Sequence, residues 1–257
     1  MQNLNKPLIA LSIFLICSAV LAAPEAAPAR ERGEGPFERL ILRGVTVING
    51  EGAPAVGPMD IVIAGDRITA VRNVGYPGVP IDDKRRPQAG DGDRVLELDG
   101  HFVLPGFIDL HAHFGGDDQG VPAEYVAKLW LAHGITTIRE PGSFNGLGWV
   151  QEHQRRSAKN LIVAPHIVPY VGFGMGGDGP IQTPEQARHW VRDIAKQGAA
   201  GIKFFGAPPA VMQAALDEAG EQGLGSAMHH AQLNVTHWNA LDSARAGLTT
   251  LEHWYGL

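Results

Sequence analysis

Two histidines separated by one residue, His111 and His113, close the stretch Leu104 to His113, which reads LPGFIDLHAH. Side chains alternate between the faces of a strand, so both imidazoles point the same way and one short strand can offer two nitrogens to one metal ion. An HxH pair alone also fits ordinary surface or core histidines. The context sharpens the metal reading. The strand emerges from a Pro-Gly breaker, Asp109 is set among Phe107, Ile108 and Leu110, and a polar run containing Gly115, Gly116, Asp117 and Asp118 follows. In α/β barrels the C-terminal ends of the strands carry the chemistry.

Lys203 lies in GIKFF, an apolar strand where desolvation works against a charged amine. Either it snorkels from the strand end to solvent, or it is held neutral. A neutral amine can react with carbon dioxide to give a carbamate, whose two oxygens can bridge two metal ions. His229 and His230 end the run GSAMHH, and His253 ends LTTLEH. Adjacent strand residues face opposite sides, so only one of His229 and His230 can join a common site, and counting from Gly223 favours His229. For His253 a packed, hydrogen-bonded histidine is the plainer alternative. Glu140 ends the run ITTIRE, where a carboxylate can contact substrate or cap the next loop. His166, after Pro165, can face a substrate or serve as a wall or core histidine. His101, His133, His153, His189 and His237 fall on predicted turns or helices and are expected to be solvated. The loop GFGMGGDGP, residues 172–180, lets backbone approach a ligand closely but lacks the glycine pattern of a phosphate cradle, and is expected to be a mobile substrate-side loop.

The elements that must position these residues follow from periodicity. From Gly106 onward apolar strands alternate with helical stretches. Strand GFIDLHAH precedes a helix over Ala123 to His133, strand ITTIRE a helix over Leu147 to Ser157, and strand NLIVAPHIV the loop at 172–180. Thr183-Pro184-Glu185 supplies an N-cap with proline at the first helical position, starting a helix to about Gln197. Strand GIKFF, a helix over Pro209 to Gln222, strand GSAMHH, a helix over His237 to Ala246 and strand LTTLEH complete the series. Repeated βα units imply a parallel sheet. Between Leu40 and Val103, short alternating runs split by Asn49-Gly50 and Asp99-Gly100 carry the hairpin signal of a small β-domain, with a long exposed loop at 75–93.

Composition sets the bounds. The 257 residues are 44% hydrophobic and 19% charged, which is globular, and the formal net charge of −6 gives no basic surface for nucleic acid. Residues 1–23 read as a signal peptide, with Lys6 in the positive region, an apolar run from Leu8 to Leu21, and Val20-Leu21-Ala22 as the cleavage site. That run is shorter than the ~20 residues of a bilayer span. The expectation is export, periplasmic or secreted, without stable membrane insertion after cleavage. Cys17 is the only cysteine, and Ile16 before it is bulky for a lipobox; any metal site must therefore use His, carboxylate or modified Lys. The expected organisation is a signal peptide at 1–23, a disordered linker at 24–37, a small β-domain at 38–105 and a barrel at 106–257.

LPGFIDLHAH, GIKFF, HHAQ and LEHW, in this order, closely resemble the metal-dependent amidohydrolase superfamily, in particular its imidazolonepropionase-like and Xaa-Pro dipeptidase-like members. The resemblance covers roughly residues 38–257. It implies a TIM-type (β/α)8 barrel, of which six strands are present here, preceded by a small β-sandwich domain. It implies hydrolysis of an amide or cyclic amide C–N bond, in a small-molecule or peptide-like substrate, through a metal-bound hydroxide. His111 and His113 would hold the first metal, Lys203 as a carbamate would bridge, and one histidine from each of the fifth and sixth strands would hold the second. On the family pattern the Ala231 that follows points to His230, with His253 beside it. One or two divalent ions are implied, zinc by default. The family's catalytic Asp ends the eighth strand, and no residue here can be assigned to it. The sequence therefore reads as an N-terminal fragment, expected to lack substantial turnover because the general base is missing and two edge strands are left open. A non-catalytic metal-binding remnant is the alternative, and phosphoester hydrolysis on the same scaffold a third reading.

Overall fold

The computed structural model describes residues 35–230 and 237–253. The expected signal peptide, most of the linker and Ala231 lie outside the described residues. Among these residues no helix is long and apolar enough to cross a membrane.

Two sheets form. The first contains β1 (Arg39–Val47), β2 (Val56–Ala64), β3 (Arg67–Asn73), β4 (Arg94–Glu97) and β5 (Phe102–Val103), in the order β3-β2-β1-β4 with β5 also paired to β1. The β1-β2 and β2-β3 pairs are antiparallel, whereas β4 and β5 run parallel to β1. Where a small β-sandwich is expected, the described residues give one separate five-stranded sheet. Its buried apolar residues are Ile41, Val45, Ile61 and Val62, with the paired Ile41 and Val62 on one face and Ile61 on the other. Asp60 of β2, fully buried, accepts the Gly44 N–H at 2.9 Å. The 75–93 segment is a loop broken by a single 3-10 turn at Asp83–Arg85.

The second sheet is the curled, half-barrel part of an α/β fold. It contains β6 (Phe107–Asp109), β7 (Ile135–Glu140), β8 (His166–Gly172), β9 (Gly201–Phe204), β10 (Gly225–Met228) and β11 (Thr250–Leu251), all parallel and in sequence order. Between successive strands run α1 (Ala123–Ala132), α2 (Leu147–Ala158), α3 (Pro184–Lys196), α4 (Pro209–Glu221) and α5 (Ala240–Arg245). One outer core packs Ala112, Phe114, Ile138, Val150 and Ile167 beneath α1 and α2. A larger one packs Val171, Trp190, Ile202, Met212, Leu216 and Met228 beneath α3 and α4. Thr183 starts α3 as expected, closing a reciprocal capping box with Gln186.

On the inner face the sheet makes room for one large ring. A Cβ on Gly201 would sit 2.3 Å from Tyr170 Cζ, and one on Gly225 would sit 1.9 Å from the Tyr170 hydroxyl, so only glycine at both positions admits this side chain across β9 and β10. The edge strands expose Phe107, Ile108 and Leu251 to solvent.

The third strand departs from the expected NLIVAPHIV. Asn160 takes a left-handed φ of 55° and Leu161 N–H returns to Arg156 O at 2.9 Å, a helix-terminating turn that consumes the apolar run. The strand starts only at His166, opposite Thr137. The last helix also starts later than His237, because Asn239 caps it and its side chain accepts Leu241 and Asp242 N–H.

Candidate active site

At the C-terminal end of the six-stranded sheet five side chains come together. β6 ends at Asp109, yet the ladder continues: Ala112 N–H reaches Arg139 O at 3.1 Å, and the Asp109 carboxylate accepts the His111 N–H at 2.8 Å. The period of two therefore persists past the strand, and the His111 and His113 rings stand 5.3 Å apart. The His253 ring lies 4.9 Å from that of His111, and the His229 ring 4.7 Å from that of His253. Lys203, 2% exposed, comes from β9, with its ammonium 5.7 Å from the Phe205 ring centre.

Strand register decides between the adjacent histidines. Lys203 pairs with Ala227 on β10, so His229, two residues on, shares the face of Lys203. His230 turns the other way: it is 1% exposed and its Nε2 lies 2.8 Å from Ser243 Oγ on α5, an oxygen that also accepts the Trp238 indole N–H at 2.7 Å. The preference for His230 drawn from the residue that follows it is corrected by this geometry. His230 anchors α5 behind the sheet, and His229 faces the cluster.

Both substrate-side expectations also change. Glu140, fully buried at the end of β7, accepts Phe114 N–H at 2.6 Å and pairs with His113 Nδ1 at 3.2 Å, so it holds the segment after β6 and one ring of the cluster. His166 is exposed at the first residue of β8, the end of the strand remote from the cluster. His153, expected in solvent, is 7% exposed and packs against Phe114 and Trp149. The loop after β8 lies on α3, where Trp190 Nε1 donates to Met175 O at 3.2 Å.

Sequence reasoning missed Arg139 and Glu252. The side chains are 5% and 2% exposed and form an ion pair, and the second Glu252 oxygen lies 2.6 Å from His111 Nδ1 and 4.0 Å from Lys203 Nζ. The signal was present: Arg139 is a charge inside the apolar strand ITTIRE, as Lys203 is in GIKFF.

Electrostatics follow from burial and these partners. Burial lowers the Lys203 amine to about 8 from 10.5, against the pull of Glu252. Burial and the Lys203 charge lower His111; burial and His253 lower His229. The hydrogen bond to Glu140 outweighs burial and raises His113. Burial pushes the Glu252 carboxyl up, but the charges of Arg139 and Lys203 outweigh it and hold it below the usual range.

Residues 102–255, more than half of the chain, match the model of the amidohydrolase family. The chain belongs to that family. It is 32% identical over 108 residues to an adenine deaminase of Paracoccus denitrificans, covering 41% of this chain and 16% of that protein. To an N-acyl-D-aspartate deacylase of Alcaligenes xylosoxydans xylosoxydans it is 28% identical over 191 residues, covering 72% and 35%. The chain thus aligns with about a third or less of the length of these relatives. In fold it is similar to a Xaa-Pro dipeptidase crystallised with methionine in its active site, with a TM-score of 0.63 at 20% identity over 84% of this chain and 61% of that one.

Amidohydrolases generally use divalent metals. Among the described residues no three His, Cys, Asp or Glu side chains form a group that could hold a metal ion as they stand. The chemistry of the donors nevertheless suits one. Both histidines of the HxH pair have Nδ1 close to a buried carboxylate: His111 Nδ1 lies 2.6 Å from a Glu252 oxygen, and His113 Nδ1 is hydrogen-bonded to Glu140, a bond that favours the proton on Nδ1 and the lone pair on Nε2. Histidines that bind metal commonly carry this support on the other nitrogen.

Proposed function

We propose that this chain carries the site of a metal-dependent hydrolase acting on amide or cyclic amide C–N bonds of small or peptide-like substrates. The observation that carries the reading is the meeting of His111, His113, Lys203, His229 and His253 at the C-terminal end of one parallel sheet. The activities for which the two relatives are named, adenine deamination and N-acyl-D-aspartate deacylation, are both hydrolyses of C–N bonds and support the class. The likeness to Xaa-Pro dipeptidase supports the fold, and the subgroup belongs to this proposal.

His111 and His113 would hold one divalent ion and His229 and His253 a second, with zinc the natural match to nitrogen and oxygen donors. Lys203 would bridge as its carbamate, for which an amine depressed to about 8 is suited, since a larger neutral fraction is available to carbon dioxide near neutral pH. When bound, such ions would polarise a carbonyl and lower the pKa of a bound water to about 7. The chain's own contribution is to set the rings: Glu140 holds His113 Nδ1 by a hydrogen bond, the Glu252 carboxylate stands 2.6 Å from His111 Nδ1, and β9 buries Lys203 away from bulk water.

One observation favours metal binding without turnover as a second reading. Both buried carboxylates beside the cluster are committed, Glu140 to Phe114 N–H and His113, and Glu252 to Arg139 and His111, so neither is left to take a proton from water. Screening the zinc-loaded chain against amides, cyclic amides and acyl-amino acids, with release of amine or ammonia as the readout, separates the two. Turnover abolished by His111→Asn supports the hydrolase. Stoichiometric zinc without turnover supports the second reading.

A further inference from the structure

The Arg139 guanidinium reaches across the open side of the half-barrel. Arg139 stands on β7, next to the edge strand β6, and β11 is the opposite edge of the sheet. From there its Nε donates to Leu110 O at 2.6 Å, the backbone immediately before His111. Its Nη1 donates to Thr250 Oγ1 of β11 at 2.9 Å, and its Nη2 is ion-paired with Glu252, the residue before His253. Thr250 Oγ1 in turn donates to the same Glu252 oxygen at 3.0 Å. The remaining Glu252 oxygen faces His111 Nδ1 at 2.6 Å. Below, the Tyr170 ring supports the guanidinium, 5.0 Å from its centre.

We propose that Arg139 and Glu252 are positioning residues: together they tie β6 to β11 and fix His111 in its Nδ1–H tautomer, so that the rings of His111 and His253 meet across the open side of the sheet.

Three features argue for this role over a plain buried ion pair. A buried pair is weak evidence for stability, because desolvation offsets much of the attraction. Here, however, two of the three polar contacts of the fork fall on residues adjacent to a cluster histidine, Leu110 and Glu252, and the third falls on Thr250, whose hydroxyl donates to that same Glu252 carboxylate. The fork also has three directions, which a lysine cannot reproduce, since its ammonium is a point charge without the planar geometry. Finally, the ladder does not hold β11 against β6: its sheet neighbour is β10. The contact between the His111 and His253 rings depends on something that spans the gap.

This inference rests on the hydrolase reading only for the purpose of the cluster. Its test uses the metal-free full chain and follows no reaction, so either reading can fail alone. Long-range ¹H–¹⁵N spectra of the histidine rings, recorded above the imidazole titration range, report the tautomer directly, with His111 assigned by the signals lost in His111→Gln. The expected wild-type result is a protonated Nδ1 and a bare Nε2 for His111. In Arg139→Met/Glu252→Met, where apolar replacement of the pair spares the fold a lone buried charge, the two nitrogen shifts are expected to move toward each other as the tautomers average, and the His253 signals to shift with them. Arg139→Lys is expected to move them in the same direction rather than restore them. A wild-type His111 carrying its proton on Nε2, or averaging both forms, overturns the proposal without any variant. So does a folded double variant whose His111 and His253 signals stay where they were.

Discussion

Replacing Lys203 by methionine should stabilise the metal-free protein at neutral pH. Lys203 is 2% exposed in the middle of the inner face, and burial brings its amine from 10.5 to about 8. A lowering of this size corresponds to about 3 kcal/mol of folding free energy set against the charged form. Methionine removes that charge at similar length, and the loss of the 4.0 Å attraction to Glu252 returns part of the gain, leaving about 1–3 kcal/mol in favour of the variant. The sign has a pH signature. The folded pKa is depressed, so between about 8 and 10.5 the unfolded chain binds more protons than the folded one, and wild-type stability rises with pH across that window. The difference between wild type and Lys203→Met should be largest below about 8 and shrink as the pH climbs through the window. Urea unfolding with a chelator in carbon-dioxide-free buffer, at stepped pH, measures both. A variant less stable than wild type at neutral pH with an unchanged slope, or a wild type whose stability is flat through the window, would refute the reasoning.

Ser243→Ala should cost about 2 kcal/mol in thermal or urea unfolding, because one hydroxyl serves both the buried His230 Nε2 and the Trp238 indole. Glu140→Gln should lower the pKa of His113 in an NMR titration. The raised pKa supports the fold most at pH below the unfolded value and loses that support as pH rises through the folded value, so the variant should lose more stability at acid pH than at alkaline pH. The export reading expects mass spectrometry of exported protein to find a chain starting at Ala23, and an intact Met1 on exported protein would contradict it.

Most of what locates the site was legible in residue type and spacing. His111 and His113 needed only the period of two, which survives past the end of β6 because the Ala112 N–H keeps the ladder going. Lys203 was legible as a charge in an apolar strand. Six strands in one parallel sheet followed from the alternation of apolar runs and helices, and each forms where an apolar run had been read, with the third displaced. That displacement has a physical cause: Leu161 to Ala164 has a strand's composition, but Asn160 in the left-handed region and the return bond from Leu161 spend it on a helix end. The choice between His229 and His230 depended on where β10 begins. Register against β9 fixes this, and register is a tertiary fact. Arg139 and Glu252 stayed hidden for a similar reason: 113 residues separate them, and only the curl of the sheet brings β7 to β11.

The central claim, that these histidines form one metal-binding site of hydrolytic type, is tested most directly by calorimetric titration of zinc into the metal-free chain and into His111→Asn/His113→Asn. The account expects saturable binding by the wild type and loss of at least one zinc in the double variant with folding retained. Equal binding by the two proteins, or no binding by a folded wild type, would contradict it.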